Sequence, residues 1–130
     1  MAAVEQATMN RQFFENYYRA YNSADPTALA EFYADDVVLV SSEGEQRGRE
    51  ALLATYGFIT ERFIDQMTPQ RILIDGDEAV IQIVDRFEAR QDVADFLGGS
   101  FRRGDSFTLN LCGWYRVEAG RIKHIAIYRG

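Results

Sequence analysis

The stretch Ile81-Gln82-Ile83-Val84-Asp85-Arg86-Phe87-Glu88-Ala89 alternates apolar and polar residues, the period of a strand buried on one face. Ile81, Ile83, Phe87 and Ala89 share one side with Asp85, while Gln82, Arg86 and Glu88 mark the other. Asp85 breaks the apolar set. A carboxylate between Ile83 and Phe87 is costly to bury unless it is paired, protonated or used chemically.

Working outward, the same period holds in Arg71–Ile74 before the Asp75-Gly76-Asp77 turn, in Phe107–Val117, and in Arg121–Tyr128 after Glu118-Ala119-Gly120. These read as antiparallel strands joined by tight turns. Upstream the pattern is helical. Met9, Phe13, Phe14, Tyr17, Tyr18 and Tyr21 recur at spacings of three and four and predict an aromatic-faced helix over Thr8–Tyr21. Asp25 before Pro26 predicts the cap of a short second helix, Thr27–Tyr33. Val37–Val40 reads as a short strand, and a third helix is expected from near Gly48 through Phe63-Ile64, ending before Pro69. Between the long strands, Arg90–Ser106 is longer than a tight hairpin needs, with one helical turn expected over Asp92–Leu97 and a lid role for the segment. Together these elements predict a single α+β domain over residues 1–130, with three helices in the N-terminal half packed on one side of a curved antiparallel sheet.

Composition narrows the function classes. The net charge of −6, from 20 acids against 14 bases, argues against a nucleic-acid partner. One cysteine and one histidine exclude an internal disulfide and any zinc-ligand spacing, so no metal or other cofactor is expected. No apolar run approaches the length of a membrane span and the N-terminus has no signal-peptide pattern, which gives the expectation of a cytoplasmic protein.

The order of elements, with ALAEFYADDVVL and the later GREALL, resembles the NTF2-like superfamily. That superfamily includes ketosteroid isomerases, SnoaL-like polyketide cyclases and limonene-epoxide hydrolase-like proteins. VDRFE at Val84–Glu88 and SFTLNLCGWYRVEAGRI at Ser106–Ile122 are most similar to the limonene-epoxide hydrolase branch. The resemblance implies a cone-shaped, cystatin-like fold around an apolar pocket, with Asp85 at the position of that branch's catalytic strand aspartate. It also places Ile83 where the branch has an arginine and Ile127 where it has a second aspartate, so the triad is incomplete. Ser41 falls where a polar group holds the water, and Tyr17 matches the first-helix tyrosine of the ketosteroid isomerases.

Asp85 and Tyr17 are therefore the expected catalytic residues. Ser41, Ile83, Phe87, Phe107, Leu109, Leu111, Ile125 and Ile127 are the expected ligand contacts, with Ile81 behind them. Arg129, on the face of Ile125 and Ile127, is a candidate structural partner for Asp85. His124 and Trp114 fall on the outer face, where Trp114 suggests a homodimer packed through the sheet. Two functions fit. One is a cofactor-independent enzyme using Asp85 as acid or base on a mainly apolar terpenoid, steroid-like or polyketide-like molecule, by epoxide hydrolysis, isomerisation, dehydration or cyclisation. The other is a non-catalytic ligand-binding or dimeric interaction module with a degenerate site.

Overall fold

In the computed structural model, which describes residues 9–130, the chain starts with helix α1, Arg11–Asn22. The Asn10 side chain caps it by accepting from the Phe13 amide at 2.9 Å. The sequence-based start at Thr8 lies outside the described residues. Helix α2, Pro26–Ala30, follows, its first turn fixed by the Asp25 carboxylate on the Thr27 amide. It ends three residues earlier than expected, because Tyr33 already belongs to strand β1, Tyr33–Ser41. The chain then turns back at Ser42-Glu43 into β2, Gly44–Arg47, an unexpected hairpin partner for β1.

Helix α3, Arg49–Arg62, stops where the sequence offered no glycine or proline to stop it. Phe63 is already extended, and β3 runs Phe63–Asp75, so the expected continuation of the helix through Phe63-Ile64 is overturned. Pairing decides the matter. From Phe63 to Asp75 every residue but Gln70 finds a partner on β4, Glu78–Ala89, beginning with Phe63 opposite Ala89, and this ladder outcompetes local helix propensity. Pro69 does not end an element either. It sits within β3 at a register shift, on an edge strand where a missing N–H is tolerated.

Strands β5, Val93–Phe96, and β6, Gly99–Phe101, make a small separate hairpin where one helical turn was expected. Leu97 and Gly98, both at positive φ, form its two-residue turn. Strands β7, Ser106–Glu118, and β8, Arg121–Arg129, complete the sheet, whose order is β2-β1-β8-β7-β4-β3. Every pairing is antiparallel except β1 with β8, which is parallel.

Two aromatic clusters fill the helix side of this sheet. The larger holds Phe14, Tyr17, Tyr18, Tyr33, Tyr56 and Tyr115 among Ile81, Ile83 and Ile125. The smaller is Phe63, Phe87, Phe96, Phe101 and Phe107, with Val93 and Ala89. No described helix is long and apolar enough to cross a membrane.

A buried carboxyl pair as candidate active site

Asp85 lies on β4 with the strand's apolar series, as the alternation predicts, and is only 2 % exposed. Its neighbour across the ladder was not anticipated. Met67 of β3 is directly opposite Asp85, and Asp65 is opposite Phe87, so the two aspartates are diagonal neighbours on one face. Their carboxyl groups hydrogen-bond to each other, and Asp65 is 4 % exposed. Two carboxylates cannot share a bond without a proton, so the pair holds at least one.

The surroundings keep that proton on the pair well above the ordinary carboxylate range. Burial pushes the Asp85 carboxyl up to about 10, reinforced by the hydrogen bond and negative charge of Asp65. Asp65 is also raised by burial, but the hydrogen bonds from Asp85 and Tyr21 pull it back. At neutral pH the two carboxyls thus share a proton, and Oδ2 of Asp65 also accepts from the Tyr21 hydroxyl at 2.8 Å. The two protons of the pair come off as properties of the pair rather than of either residue. Oδ1 of each aspartate has no hydrogen-bond donor among the described residues.

Tyr21 is held in place by the end of α1. The Asn22 side chain bonds both backbone groups of Met67, donating to its carbonyl at 2.8 Å and accepting from its amide at 2.7 Å. Gln66 donates to the Asn22 carbonyl and Tyr56 to the Tyr21 carbonyl. Asn22 therefore covers part of the β3 edge and sets Tyr21 over Asp65.

The other expected site residues divide. Tyr17 meets Tyr33 rather than Asp85, their hydroxyls 2.8 Å apart, with burial raising both. Ser41 ends β1, where its hydroxyl accepts from the Glu43 amide and serves the hairpin turn. Ile83, Phe87, Leu111 and Ile125 are buried, while Phe107, Leu109 and Ile127 are partly buried. Ile81, Ile83, Phe87, Asp85 and Ile125 expose 4 % or less. Side chains lining an empty cavity would present surface to it, so these five side chains are packed among their neighbours. Aromatic rings from α1 take up that space. A hollow of about 520 Å³, lined in part by Leu73, Val80, Gln82 and Tyr128, reaches Ile83 and Leu111 of the expected ligand contacts.

Arg129 is exposed and opposite Leu111, so it gives Asp85 no cation. His124 is half-buried against Trp114, the rings 5.1 Å apart, and Trp114 donates to Glu78 at 2.7 Å. The 90–106 segment is not a lid over a pocket, since Phe96 and Phe101 pack onto Phe63 and Phe107 and close that end of the sheet.

Asp65 and Tyr21 are what the sequence reading missed. Phe63, Asp65 and Met67 carry the same signal as Ile83, Asp85 and Phe87, an aspartate inside an apolar period-2 series. Assigning Phe63 to a helix concealed it.

A family model for a SnoaL-like domain matches residues 14–125. The fold is similar to an LEH-like epoxide hydrolase from M. tuberculosis, at 18% identity over 90% of this chain and 79% of that one, with a TM-score of 0.72. It is similar to a protein with a ketosteroid isomerase-like fold from Catenulispora acidiphila DSM 44928, at 16% identity over 92% and 86%, TM-score 0.74. IdmH from Streptomyces antibioticus, proposed to be a polyketide cyclase, matches at 25% identity over 89% and 88%, TM-score 0.72. No curated protein matches by sequence. The α+β cone expected from the sequence is thus the observed fold, and with the model spanning most of its length the chain belongs to the SnoaL-like domain family.

Proposed function

We propose that this protein is a cofactor-independent enzyme that moves protons on a small, mainly apolar molecule, with the Asp85–Asp65 pair as its acid and base. The observation that carries the reading is two buried aspartates on one face of β3 and β4, their interacting carboxyls both pushed up by burial. Among the described residues no cation is paired with either aspartate, so a purely structural ion pair does not account for them. Environments that push two carboxyls apart divide the roles of acid and base between them. Asp85 is the proton donor and Asp65 the group that accepts or holds charge, with Tyr21 setting the basicity of Asp65. Terpenoid, steroid-like or polyketide-like molecules suit an interior of aromatic and branched aliphatic side chains around one polar focus. Epoxide opening, isomerisation, dehydration and cyclisation each need mainly proton transfer in such a site.

The test is turnover of a panel of apolar epoxides, enones and polyketide-like aromatic esters, together with exchange of ketone α-protons in D2O followed by NMR. Asp85→Asn keeps a donor to Asp65 and nearly the same shape but cannot release its proton. It is expected to lower turnover by about 10²- to 10⁴-fold. Unchanged turnover in that variant overturns the catalytic role, and tight binding without turnover anywhere in the panel favours a ligand-binding module. For quaternary structure the reading is a homodimer through the outer sheet face, where Leu73, Val80 and Tyr128 stand exposed, checked by sedimentation.

A further inference from the structure

The hollow of about 520 Å³ is built on one row of the sheet. Arg71 is opposite Gln82, Gln82 opposite Cys112, and Cys112 opposite Tyr128, so four neighbouring strands each place one side chain on the same face. All four line the hollow, and Leu73, Val80 and Val84 supply its apolar walls. At its rim the register shift between Pro69 and Arg71 bends β3. Ile83 and Leu111 also border it but are 1 % and 7 % exposed, so the hollow stops against the core without opening into it. Its volume suits a small molecule.

Charge selects the occupant. The chain carries 20 acids against 14 bases, yet no aspartate or glutamate lines the hollow, whereas Arg71 and Arg129 do. Arginines elsewhere on the surface are held by carboxylates, Arg49 by Asp35, Arg86 by Glu88 and Arg116 by Glu118. The Arg71 guanidinium has no such partner among the described residues, and the Gln82 amide opposite it is likewise uncommitted. A carboxylate placed there receives the planar guanidinium fork and a neighbouring amide donor. Arg129 is opposite Leu111, one residue out of the row, and adds positive charge without joining it. Three strand spacings separate Arg71 from Tyr128, roughly 14 Å, which is room for an acid group and a body of fused rings.

We propose that this hollow is a binding site for an apolar monocarboxylic acid, its carboxylate on Arg71 and Gln82 and its ring body along Cys112 toward Tyr128, between Val80 and Val84. The site does not rest on chemistry at Asp85, which faces the core from β4 while Gln82 and Val84 alternate to the opposite face. Leu73, Val80 and Tyr128 also stand on the face read as the homodimer's, so the acid and a second copy compete for it.

The probe is 2-naphthoate, with 2-naphthamide as its neutral counterpart of nearly the same shape, titrated calorimetrically at a protein concentration where sedimentation shows the monomer. The wild type is expected to bind the acid on the order of tenfold more tightly than the amide. Arg71 is exposed, so Arg71→Gln leaves the core intact. That variant is expected to weaken the acid about 10- to 100-fold and to leave the amide unchanged. Arg103→Gln makes the same change in net charge away from the hollow and keeps the wild-type affinity. Cys112, the chain's one cysteine, is half-buried and lines the hollow, so it reports position. Bound 2-naphthoate should slow its alkylation by iodoacetamide in step with occupancy, followed by mass spectrometry. No binding of the acid, equal affinity for acid and amide, an equal loss in Arg103→Gln, or unchanged alkylation of Cys112 at saturation each overturns the site.

Discussion

The two aromatic clusters under the sheet differ in one atom type. On the α1 side the rings are mostly tyrosines, tied through their hydroxyls as Tyr17–Tyr33 and Tyr18–Tyr115. At the other end they are phenylalanines alone, with Phe87 stacked on Phe107 at 4.7 Å and Phe63 edge-on to both. The carboxyl pair lies at the boundary, since Asp85 separates Ile83 from Phe87 and Asp65 separates Phe63 from Met67 along their strands. The phenylalanine end can only exclude water, which is the main cause of the raised carboxyls. The tyrosine end can answer charge with donors, as Tyr21 does. One end sets how strongly the protons are held, and the other gives the charge somewhere to go.

The hardest way to break this division is to open the insulating end. Phe63 is fully buried and touches the rings of Phe87, Phe96, Phe101 and Phe107. Phe63→Ala should cost about 3–5 kcal/mol of stability, read from the urea midpoint. Where the variant stays folded, water admitted beside the pair should bring the Asp85 carboxyl down toward the ordinary range, followed by carbon-13 NMR of its side chain. A lost midpoint with an unmoved carboxyl would mean that the phenylalanines support the fold without controlling the pair.

The next largest effect concerns pH. In the unfolded chain Asp85 titrates at about 3.9, whereas the folded value is about 10. Between these values the unfolded chain has lost a proton that the folded chain retains. The stabilisation is therefore full below the unfolded value and falls as pH rises toward the folded one. Asp85→Asn cannot titrate, so the stability of the variant relative to the wild type should grow from pH 5 to 9. The slope has a ceiling of about 1.4 kcal/mol per pH unit for one proton. A flat difference across that range would refute the protonated Asp85. The same residue that limits stability is the proposed proton donor, a trade-off found where function requires a strained group.

How legible was this in the sequence? The face of Asp85 followed from alternation alone, because β4 has one face in the core and a slip of one residue would bury Gln82 and Arg86. The turn at Asp75-Gly76-Asp77 was equally plain. Asp65 was not, since Ile59, Phe63 and Ile64 continue a helical spacing and only pairing with β4 breaks it. The hairpin at 93–101 failed for a related reason, as Leu97 adopts positive φ, which its residue type does not advertise. The apolar pocket is a different case. Alternation identifies which side chains point inward, but not whether rings from another element fill the space between them.

A smaller effect sharpens the tyrosine side. Tyr21→Phe removes a donor to the Asp65 carboxylate, a bond worth about 1.5–3 kcal/mol when one partner is charged. Since that bond lowers Asp65, its loss should raise Asp65 further. The acid limb of the rate profile should then move to higher pH. A uniform fall in rate without a shifted limb would make Tyr21 a packing residue only.

The smallest effect tests whether the two ends are separable. Leu97 sits at φ 50 followed by Gly98 at φ 78, a turn geometry that asparagine-glycine adopts readily and leucine resists. Leu97→Asn should stabilise the protein by about 0.5–1 kcal/mol, since left-handed backbone costs an ordinary side chain roughly 1–2 kcal/mol and part of that is recovered. The gain belongs to the hairpin that shields the phenylalanines, so turnover, both limbs of the rate profile and the Asp85 carboxyl should not change. Asp85→Asn also stabilises near neutral pH, but by removing the group that the proposed chemistry uses. A stabilised Leu97→Asn with unaltered acid–base behaviour would locate the conflict between stability and function at the carboxyl pair rather than across the whole core. An altered rate profile would instead mean that the hairpin's motion is part of ligand entry, and that the insulating end opens as the protein works.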